Sequence, residues 1–351
     1  MSERFREWVK KVGSGQHTSQ DLNREEAAQA MRMMLTGEAT PAQIGAFLIA
    51  HRIKRPTPSE LAGMLDAYSE LGPLLPPLPL ARPLLIFGHP YDGRSRTAPL
   101  AALVALLLAV AGSPVLLHGS GRCPTKYGIP LLDLWLGLGV DWRGLELAEM
   151  GQILQATGLG FLYLPDHFPA AQMLMSYRDQ IGKRPPLATL ELIWTPYAGS
   201  FRLISGFVHP PTEETMHTTL SLRGVESWIT VKGLEGSCDL PQDRTVILSL
   251  GQERLLLRPR DYGMAAASPP LPDFPLLIEQ MQQTLEGSLT PLSAAVVWNG
   301  GFYLWQAGHA ADLRAGMALA QAILAAGDAL AKLEQLQAIR QQVGSQVCTS
   351  R

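Results

Sequence analysis

Residues 84–128 read LLIFGHPYDGRSRTAPLAALVALLLAVAGSPVLLHGSGRCPTKYG and contain two short apolar runs, each followed by a polar loop with glycines. The first run, Leu84–Phe87, leads into GHPYDGRSRT and then into the apolar segment Ala98–Ala111. The second run, Val115–His118, leads into GSGRCPTKYG. A strand, a loop, a helix and a strand in this order predict one unit of a parallel α/β sheet.

The two loops also share a local positive charge. A glycine-containing turn between a parallel strand and a helix is a common phosphate site, because backbone N–H groups and the positive end of the helix dipole converge there. The formal net charge of the whole chain is -2. From Leu84 to Tyr127, in contrast, the sequence contains one acidic residue, Asp92, and four basic residues: Arg94, Arg96, Arg122 and Lys126. We expect these loops to face an anion; the alternative is two ordinary turns with solvated arginines.

The sequence on either side changes in character. Before residue 72, Thr40-Pro-Ala-Gln and Thr57-Pro-Ser-Glu are helix-start signals, each with a hydroxyl cap and a proline at the first helical position. Proline-rich Gly72–Pro83 then predicts a semi-rigid linker. Beyond the two strands above, further strand predictions are Phe161–Leu164, Leu203–Val208, Trp228–Val231 and Thr245–Ser249, with closing helices at Ser293–Val297 and Leu313–Val343.

These patterns predict an α/β fold with a small N-terminal all-helical domain and a larger domain whose mainly parallel sheet is flanked by helices. We place the helical domain at residues 1–72 and the α/β domain at residues 84–351. The helical domain has more apolar stripes than one face can bury, which favours a homodimer formed through this domain.

Composition excludes several classes of protein. A hydrophobic fraction of 46% with 17% charged residues is typical of a folded globular chain. Cys123, Cys238 and Cys348 are far apart, which argues against a disulfide framework or a zinc site and favours a reducing compartment. The apolar run at Ala98–Ala111 is shorter than the roughly 20 residues that span a bilayer. We therefore expect a cytoplasmic protein without a membrane segment.

The loop motifs resemble those of the anthranilate phosphoribosyltransferase family, and the similarity runs nearly from end to end. In that family the first loop reads GTGGDG, and the second reads KHGNRS followed by Ser-Ser-Lys-x-Gly. The family's later HPAM…VRxxLGxR segment resembles the region around Arg178. Matching residues are Gly88, Asp92 and Gly93 in the first loop, His118, Gly119, Lys126 and Gly128 in the second, and His167, Pro169, Ala170, Arg178, Gly182 and Arg184 further on.

The resemblance implies a glycosyltransferase, assigned by family to tryptophan biosynthesis, with phosphoribosyl diphosphate and Mg²⁺ in the cleft between the domains. Helices at about residues 167–184 would join the helical domain, which would form the dimer. Arg178 would align with an arginine that contacts anthranilate. The loops and the resemblance together give a ligand-binding set: Gly88, Asp92, Gly93, Arg94, Arg96, Thr97, His118, Gly119, Arg122, Thr125, Lys126, Gly128 and Arg178.

The sequence departs from the family where the chemistry is expected. Pro90 and Tyr91 replace two loop glycines, so one N–H donor is lost and a ring takes up space. Cys238-Asp239 stands where the family has a metal-holding Asp-Glu pair. Glu235 and Asp239 are the magnesium ligands that remain, if the protein is catalytic. We assign no catalytic residue, and the altered loop argues against true anthranilate activity.

Two hypotheses follow. The segments Lys232–Gly236 and Pro124–Pro130 resemble a divergent, second anthranilate phosphoribosyltransferase-like branch, whose members are thought to bind nucleic acid. The protein is then either a phosphoribosyltransferase with an altered acceptor, or a non-catalytic homodimer that holds DNA or RNA phosphates with the same basic loops. Other candidates for a basic surface are His51, Arg52, Lys54 and Arg55, and the pair Lys183 and Arg184.

Overall fold

A computed structural model describes residues 2–15 and 17–349, and the chain begins with a bundle of four helices. Both predicted helix starts are confirmed: the side chains of Thr40 and Thr57 accept N–H bonds from Gln43 and Glu60, which bond back to the caps. Between the caps, Ile44, Phe47 and Leu48 recur at helical spacing and are buried. The four helices are α1 (Glu3–Gly13), α2 (Arg24–Leu35), α3 (Pro41–Lys54) and α4 (Pro58–Leu71).

The rest of the described chain is built around one sheet of seven strands in the spatial order β3-β2-β1-β4-β5-β6-β7. Strands β1 to β5 pair in parallel, whereas β6 and β7 are antiparallel to their neighbours. The predicted α/β class with a mainly parallel sheet is therefore confirmed. The strands are β1 (Leu84–Gly88), β2 (Val115–Gly119), β3 (Leu159–Tyr163), β4 (Phe201–Gly206), β5 (Trp228–Val231), β6 (Val246–Leu250) and β7 (Glu253–Leu257).

Helices pack around this sheet, and one of them lies in the core. Ala101 to Ala109 are all buried, so the apolar segment after the first loop is a core helix, as predicted. The helices that follow the bundle are α5 (Ala101–Val110), α6 (Leu131–Gly137), α7 (Leu147–Thr157), α8 (Leu164–His167), α9 (Pro169–Met173), α10 (Met175–Gln180), α11 (Leu187–Ile193), α12 (Pro210–Leu222), α13 (Phe274–Leu285), α14 (Ser293–Gln306), α15 (Leu313–Ala325) and α16 (Asp328–Thr349).

Several details differ from the sequence predictions. Strands β3 and β4 each begin two residues before the predicted Phe161 and Leu203, and helix α14 continues to Gln306, beyond the predicted end at Val297. The edge strand β7 was missed because most of its residues are exposed and form no buried apolar run. The predicted single helix Leu313–Val343 is broken at Gly327, whose φ of 75° is left-handed, and α15 and α16 meet at 63°. Within the described residues, no helix alone has the length and apolar character to cross a bilayer; only that bent pair meets both criteria together.

The sheet order places the first polar loop in a crevice. Strand β1 lies between β2 and β4, so the chain leaves β1 for β2 on one side and returns to β4 on the other. The loops at the carboxyl ends of such strands diverge, and α/β proteins bind ligands in the crevice between them. The loop after Gly88 starts at this position.

Candidate anion-binding site

The two polar loops cross and are joined by backbone hydrogen bonds. The Arg94 N–H donates to the Ile129 carbonyl at 3.1 Å, and the Ile129 N–H donates to the Arg94 carbonyl at 2.8 Å. A Cβ atom on Gly93 would lie 2.4 Å from the Ile129 oxygen, and one on Gly128 would lie 2.4 Å from the Arg94 oxygen. These two glycines, predicted as phosphate-loop residues, are thus required for the close approach of the loops to each other.

Three successive N–H groups of the first loop converge on one carboxylate. Arg96 and Thr97 donate their N–H groups to Glu235 Oε1 at 3.0 Å, and Ser95 donates to Oε2 at 3.1 Å. The hydroxyl groups of Ser95 and Thr97 donate to the same carboxylate at 3.1 and 3.0 Å. Successive backbone N–H groups aimed at one point form an anion-binding concavity. We call the N–H groups of Ser95, Arg96 and Thr97 the anion cradle.

Basic side chains complete this charge arrangement. Arg94 Nε lies 3.3 Å from Glu235 Oε1, Lys126 Nζ lies 3.5 Å from Oε2, and the Arg94 Nη1 atom bonds to Asp239. Burial raises the pKa of Glu235, but Arg94, the N–H groups of the cradle and Lys126 outweigh it and hold that pKa well below its usual value. The predicted local positive charge is therefore real, and an internal carboxylate balances it.

Asp92 anchors the other side of the loop crossing. Its side chain is fully buried, 3.7 Å from Lys126 Nζ and 2.7 Å from Arg184 Nε, and its carbonyl accepts the Gly128 N–H at 2.9 Å. Burial lowers the pKa of Lys126, and Asp92 is the first charge that opposes this effect. The matched residues Asp92, Lys126 and Gly128 are thus brought together, as predicted, and Arg184 joins them.

Tyr91 and His118 close the space behind the loop. The Tyr91 ring is buried, and its hydroxyl lies 2.7 Å from His118 Nδ1. Burial lowers the pKa of His118 to about 3 and that of His89 to about 4, so both imidazoles are neutral at physiological pH. His118 was predicted to contact the ligand; here it is a neutral core residue at the end of β2, because Tyr91 occupies the adjacent space.

Arg178, the predicted acceptor contact, is paired within the protein. Its guanidinium bonds to Glu191, and the two side chains are 1% and 3% exposed. Glu191 also accepts the Tyr91 N–H at 3.3 Å. Burial raises the pKa of Glu191, an effect that Arg178 opposes. The guanidinium therefore presents no free charge to an outside carboxylate.

The remaining predicted residues lie around this centre. Gly88 ends β1, where a Cβ would lie 2.0 Å from the Leu192 carbonyl oxygen, and Gly119 ends β2. Thr125 is half-buried in the second loop, and Arg122 is exposed and lies 3.2 Å from Asp133. Arg122 lines a cavity of about 760 Å³ between α2–α3 of the bundle and α9–α10, rather than the anion cradle.

The predicted magnesium ligands have other partners here. Both oxygens of Glu235 accept bonds from the anion cradle, and Asp239 Oδ2 accepts the Leu100 N–H at 3.2 Å as well as the Arg94 bond. No group of three or more metal-ligating side chains occurs among the described residues. In this arrangement the two carboxylates do not fit a magnesium ion, which needs oxygen ligands free of competing cations.

Sequence reasoning missed Glu191. A single carboxylate inside the apolar helix LATLELI is the signal that could have found it, because a buried charge requires a partner. The partner, Arg178, lies thirteen residues earlier on a different helix, and that distance in sequence hides the pair.

The fold and the site define a class: a helical bundle joined to an α/β domain that carries an anion cradle at its strand-end crevice. Residues 6–72 match the model of the glycosyl transferase family helical bundle domain, and residues 93–330 match that of the family's a/b domain. The chain belongs to this glycosyl transferase family.

The relatives found by comparison carry one name. The anthranilate phosphoribosyltransferase of Azorhizobium caulinodans is 28% identical over 98% of this chain and 99% of its own. The anthranilate phosphoribosyltransferase of Chelativorans sp. is 29% identical over 93% of this chain and 96% of its own. The anthranilate phosphoribosyltransferase structure from Thermus thermophilus superposes with a TM-score of 0.76 at 26% identity, covering 95% of this chain and 99% of the other. The expected family resemblance is confirmed.

A more distant structure supports the fold alone. The Saccharomyces cerevisiae anthranilate phosphoribosyltransferase, solved in complex with PRPP and Mg, has a TM-score of 0.80 at 16% identity and covers 97% of this chain and 99% of its own. Five statements from the sequence stay predictions: the domain limits, the joining of residues 167–184 to the bundle, the homodimer, the cytoplasmic location and the divergent branch.

Proposed function

We propose that the protein binds a phosphorylated ligand of the phosphoribosyl diphosphate class on its anion cradle. The observation that carries the proposal is that the N–H groups of Ser95, Arg96 and Thr97 all donate to one anion. Arg94 and Lys126 stand beside the same anion. Phosphate oxygens accept the same N–H bonds as a carboxylate and gain more from neighbouring cations. The position at the β1 crevice, where this fold class binds ligands, supports the proposal.

The proposal does not include anthranilate as the acceptor. Anthranilate carries a carboxylate, and the guanidinium of Arg178 is already neutralised by Glu191 in a buried pair. Tyr91 occupies the space next to His118. Both features support an altered acceptor side with degenerate catalytic motifs. Any magnesium ion would enter with the phosphorylated ligand rather than on a preformed carboxylate pair, because Glu235 and Asp239 already have partners.

Isothermal titration calorimetry with phosphoribosyl diphosphate, with and without MgCl₂, tests this proposal. We expect saturable heat with the unmodified protein and a loss of at least tenfold in affinity for Lys126→Ala, whose ammonium lies beside the cradle. Arg122→Ala is the matched control, because it removes one positive charge from the same loop. Arg122 pairs with Asp133 rather than with the cradle, so its loss should leave the affinity unchanged. Absence of heat at millimolar ligand in all three proteins would refute the proposal.

A second candidate function, nucleic-acid binding, is favoured by one observation. The two basic clusters predicted from sequence are adjacent, because Arg52 Nε donates to the Arg184 carbonyl at 2.9 Å. His51 and Lys54 are not part of this surface, since both lie next to the buried carboxylate of Glu60. The exposed members that remain are Arg52, Arg55 and Lys183.

A salt-titrated gel shift with single-stranded and duplex DNA tests the second function. If the three exposed residues contact phosphates, R52A/R55A/K183A lowers the slope of log affinity against log salt by about 0.7–0.9 per residue. The charge-matched variant R244A/R258A/R260A changes three other exposed arginines and serves as the control. No shifted band at low salt, where electrostatic affinity is greatest, would exclude this function.

A further inference from the structure

Glu235 reaches the anion cradle from an unusual backbone conformation. Its φ of 55° and ψ of 23° are left-handed, a region that residues with a Cβ rarely adopt. Glu235 lies in a short turn at residues 234–236, which follows Gly233. The next residue, Gly236, is also left-handed, with a φ of 82°. Such conformations persist only where surrounding contacts impose them, and they concentrate at ligand clamps and switch regions. The bonds from the anion cradle to the Glu235 carboxylate are the contacts that this residue makes from that conformation.

A ligand and Glu235 cannot use the cradle together. The carboxylate accepts all three N–H groups, and its side chain is only 4% exposed. A phosphate group at the same point would meet the same donors and would be repelled by the carboxylate. Access to the cradle from solvent is nevertheless open, because Ser95 and Arg96 are exposed and the Arg96 side chain is 79% exposed.

The geometry points to Glu235 as an internal competitor. We propose that the protein has a closed state, in which Glu235 occupies the anion cradle, and an open state, in which this turn moves away and a phosphorylated ligand takes its place. The inference rests on the proposed function of the same site and adds the regulation of access to it.

The other charges of the site allow this exchange, because Arg94 and Lys126 each keep a partner when Glu235 leaves, and Arg96 is exposed to water. Arg94 remains paired with Asp239, and Lys126 remains 3.7 Å from Asp92. Leaving a buried charge without a partner would oppose the opening strongly. The turn also has internal bonds that do not involve the Glu235 side chain: the Ser237 hydroxyl donates to the Leu234 carbonyl at 2.8 Å, and the Leu234 N–H donates to the Asp239 carbonyl at 2.9 Å.

Binding of inorganic pyrophosphate to the full chain, measured by calorimetry at fixed salt, tests the competitor. Glu235→Ala removes the competing carboxylate, and we expect it to bind pyrophosphate at least tenfold more tightly than the unmodified protein. Glu235→Gln keeps an oxygen that accepts N–H bonds but loses the charge, so its affinity should be intermediate. Glu253→Ala, on the edge strand β7, makes the same change in net charge and should bind like the unmodified protein.

The outcomes separate this inference from the proposed function. If Glu235→Ala binds pyrophosphate as the unmodified protein does, or more weakly, the competitor is refuted while phosphate binding stands. If neither protein binds pyrophosphate, both proposals fail. Equal gains in Glu235→Ala and Glu253→Ala would show a general charge effect and would also refute the competitor.

A measurement on the unmodified protein avoids any effect of the variants on folding. Hydrogen–deuterium exchange with saturating pyrophosphate should become faster at residues 233–237 and slower at residues 95–97, because the turn is released as the cradle is filled. Slower exchange at 95–97 with no change at 233–237 would overturn the inference.

Discussion

Two internal carboxylates, Glu235 and Glu191, stand on the two sides of the candidate site and differ in what surrounds them. Glu235 accepts bonds from backbone N–H groups of a loop whose Ser95 and Arg96 are exposed. Glu191 meets the guanidinium of Arg178 with both side chains buried. Each supplies a negative charge where the family resemblance implies a ligand's charge.

This difference in surroundings decides whether each carboxylate can be exchanged for another anion or is a fixed contributor to the stability of the fold. The donors around Glu235 can be solvated or taken by a phosphate once the carboxylate leaves, so that contact can be exchanged. Arg178 has no such alternative, because its side chain is only 1% exposed and its guanidinium is paired with the buried carboxylate of Glu191. We infer that the phosphate side of the site can be regulated, whereas the acceptor side is a fixed part of the core.

Removal of one member of the buried pair should have the largest effect. Arg178→Met leaves the Glu191 carboxyl buried without its partner, and we expect the free energy of unfolding in urea to fall by about 3–5 kcal/mol. The double variant R178M/E191M replaces both charges with apolar groups and should recover most of this loss. A double variant as unstable as the single one would contradict a closed, paired acceptor side.

A third internal carboxylate, Glu60 in the helix bundle, extends the comparison, because its contribution to the unfolding free energy should depend on pH. It accepts the N–H groups of Leu22 and Thr57 at 2.8 and 2.7 Å. Burial raises its pKa, but His51, Lys54 and the Thr57 N–H outweigh burial and hold that pKa at about 2, against an ordinary value of 4.5.

The sign of the effect follows from this lowered pKa. The folded state favours the ionised carboxylate, so its contribution to stability is complete above about pH 4.5 and is lost as the pH falls towards 2. Glu60→Gln should therefore lower the unfolding free energy by about 2–3 kcal/mol at pH 7 and by little at pH 2. Urea unfolding of both proteins across this range is the measurement, and an equal difference at both pH values would contradict the prediction.

Glu235→Ala should destabilise the fold less than the loss of the buried pair does. The freed N–H groups lie on an exposed loop and gain water in place of the carboxylate. The turn that holds residue 235 in a left-handed conformation is then no longer bonded to the cradle. We expect a loss of about 1–2 kcal/mol in the unfolding free energy, measured in urea. A loss equal to that of Arg178→Met would show that the turn is a fixed structural element rather than an exchangeable one.

Tyr91→Phe should have the smallest effect. It removes one neutral hydrogen bond, between the Tyr91 hydroxyl and His118 Nδ1, while the ring that fills the space remains. We expect about 1 kcal/mol of lost stability and no gain in pyrophosphate affinity. Thermal unfolding and calorimetry on the same preparation measure both quantities; tighter binding would show that the hydroxyl, rather than Glu235, restricts the site.

The sequence allowed accurate prediction wherever short-range chemistry decides the structure. The caps at Thr40 and Thr57, the strands that begin at Leu84 and Val115 and the core helix between those strands follow from local spacing and composition. The break at Gly327 was missed because one glycine inside an apolar pattern does not show by itself whether its backbone is helical or left-handed.

The sequence named Arg96, Thr97, Lys126 and Glu235 as site residues, but it did not give their contacts and did not name Ser95. Gly93 and Gly128 were matched as phosphate-loop glycines, and the structure uses them for the crossing of two loops. Glu235 was named as a magnesium ligand that remains near the altered pair, and it accepts bonds from the first loop. A motif identifies which residue types occur in a loop, but their partners come from other segments: Ile129 is 35 residues from Arg94, and Glu235 is 140 residues from Ser95.

By itself the sequence determined the fold class, the family, and an excess of positive charge at the ends of two neighbouring strands. The fold class and the charge excess follow from apolar periodicity, turn residues and the local count of charges, and the family follows from the resemblance of the loop motifs; all of these are properties of short segments. Only the tertiary structure decided that this charge is balanced from within, by Glu235 beside Arg94 and Lys126, and that Arg178 is neutralised separately by Glu191. The reason is physical: the energy of a charge depends on the distance and burial of its partner, and the folded backbone alone sets both.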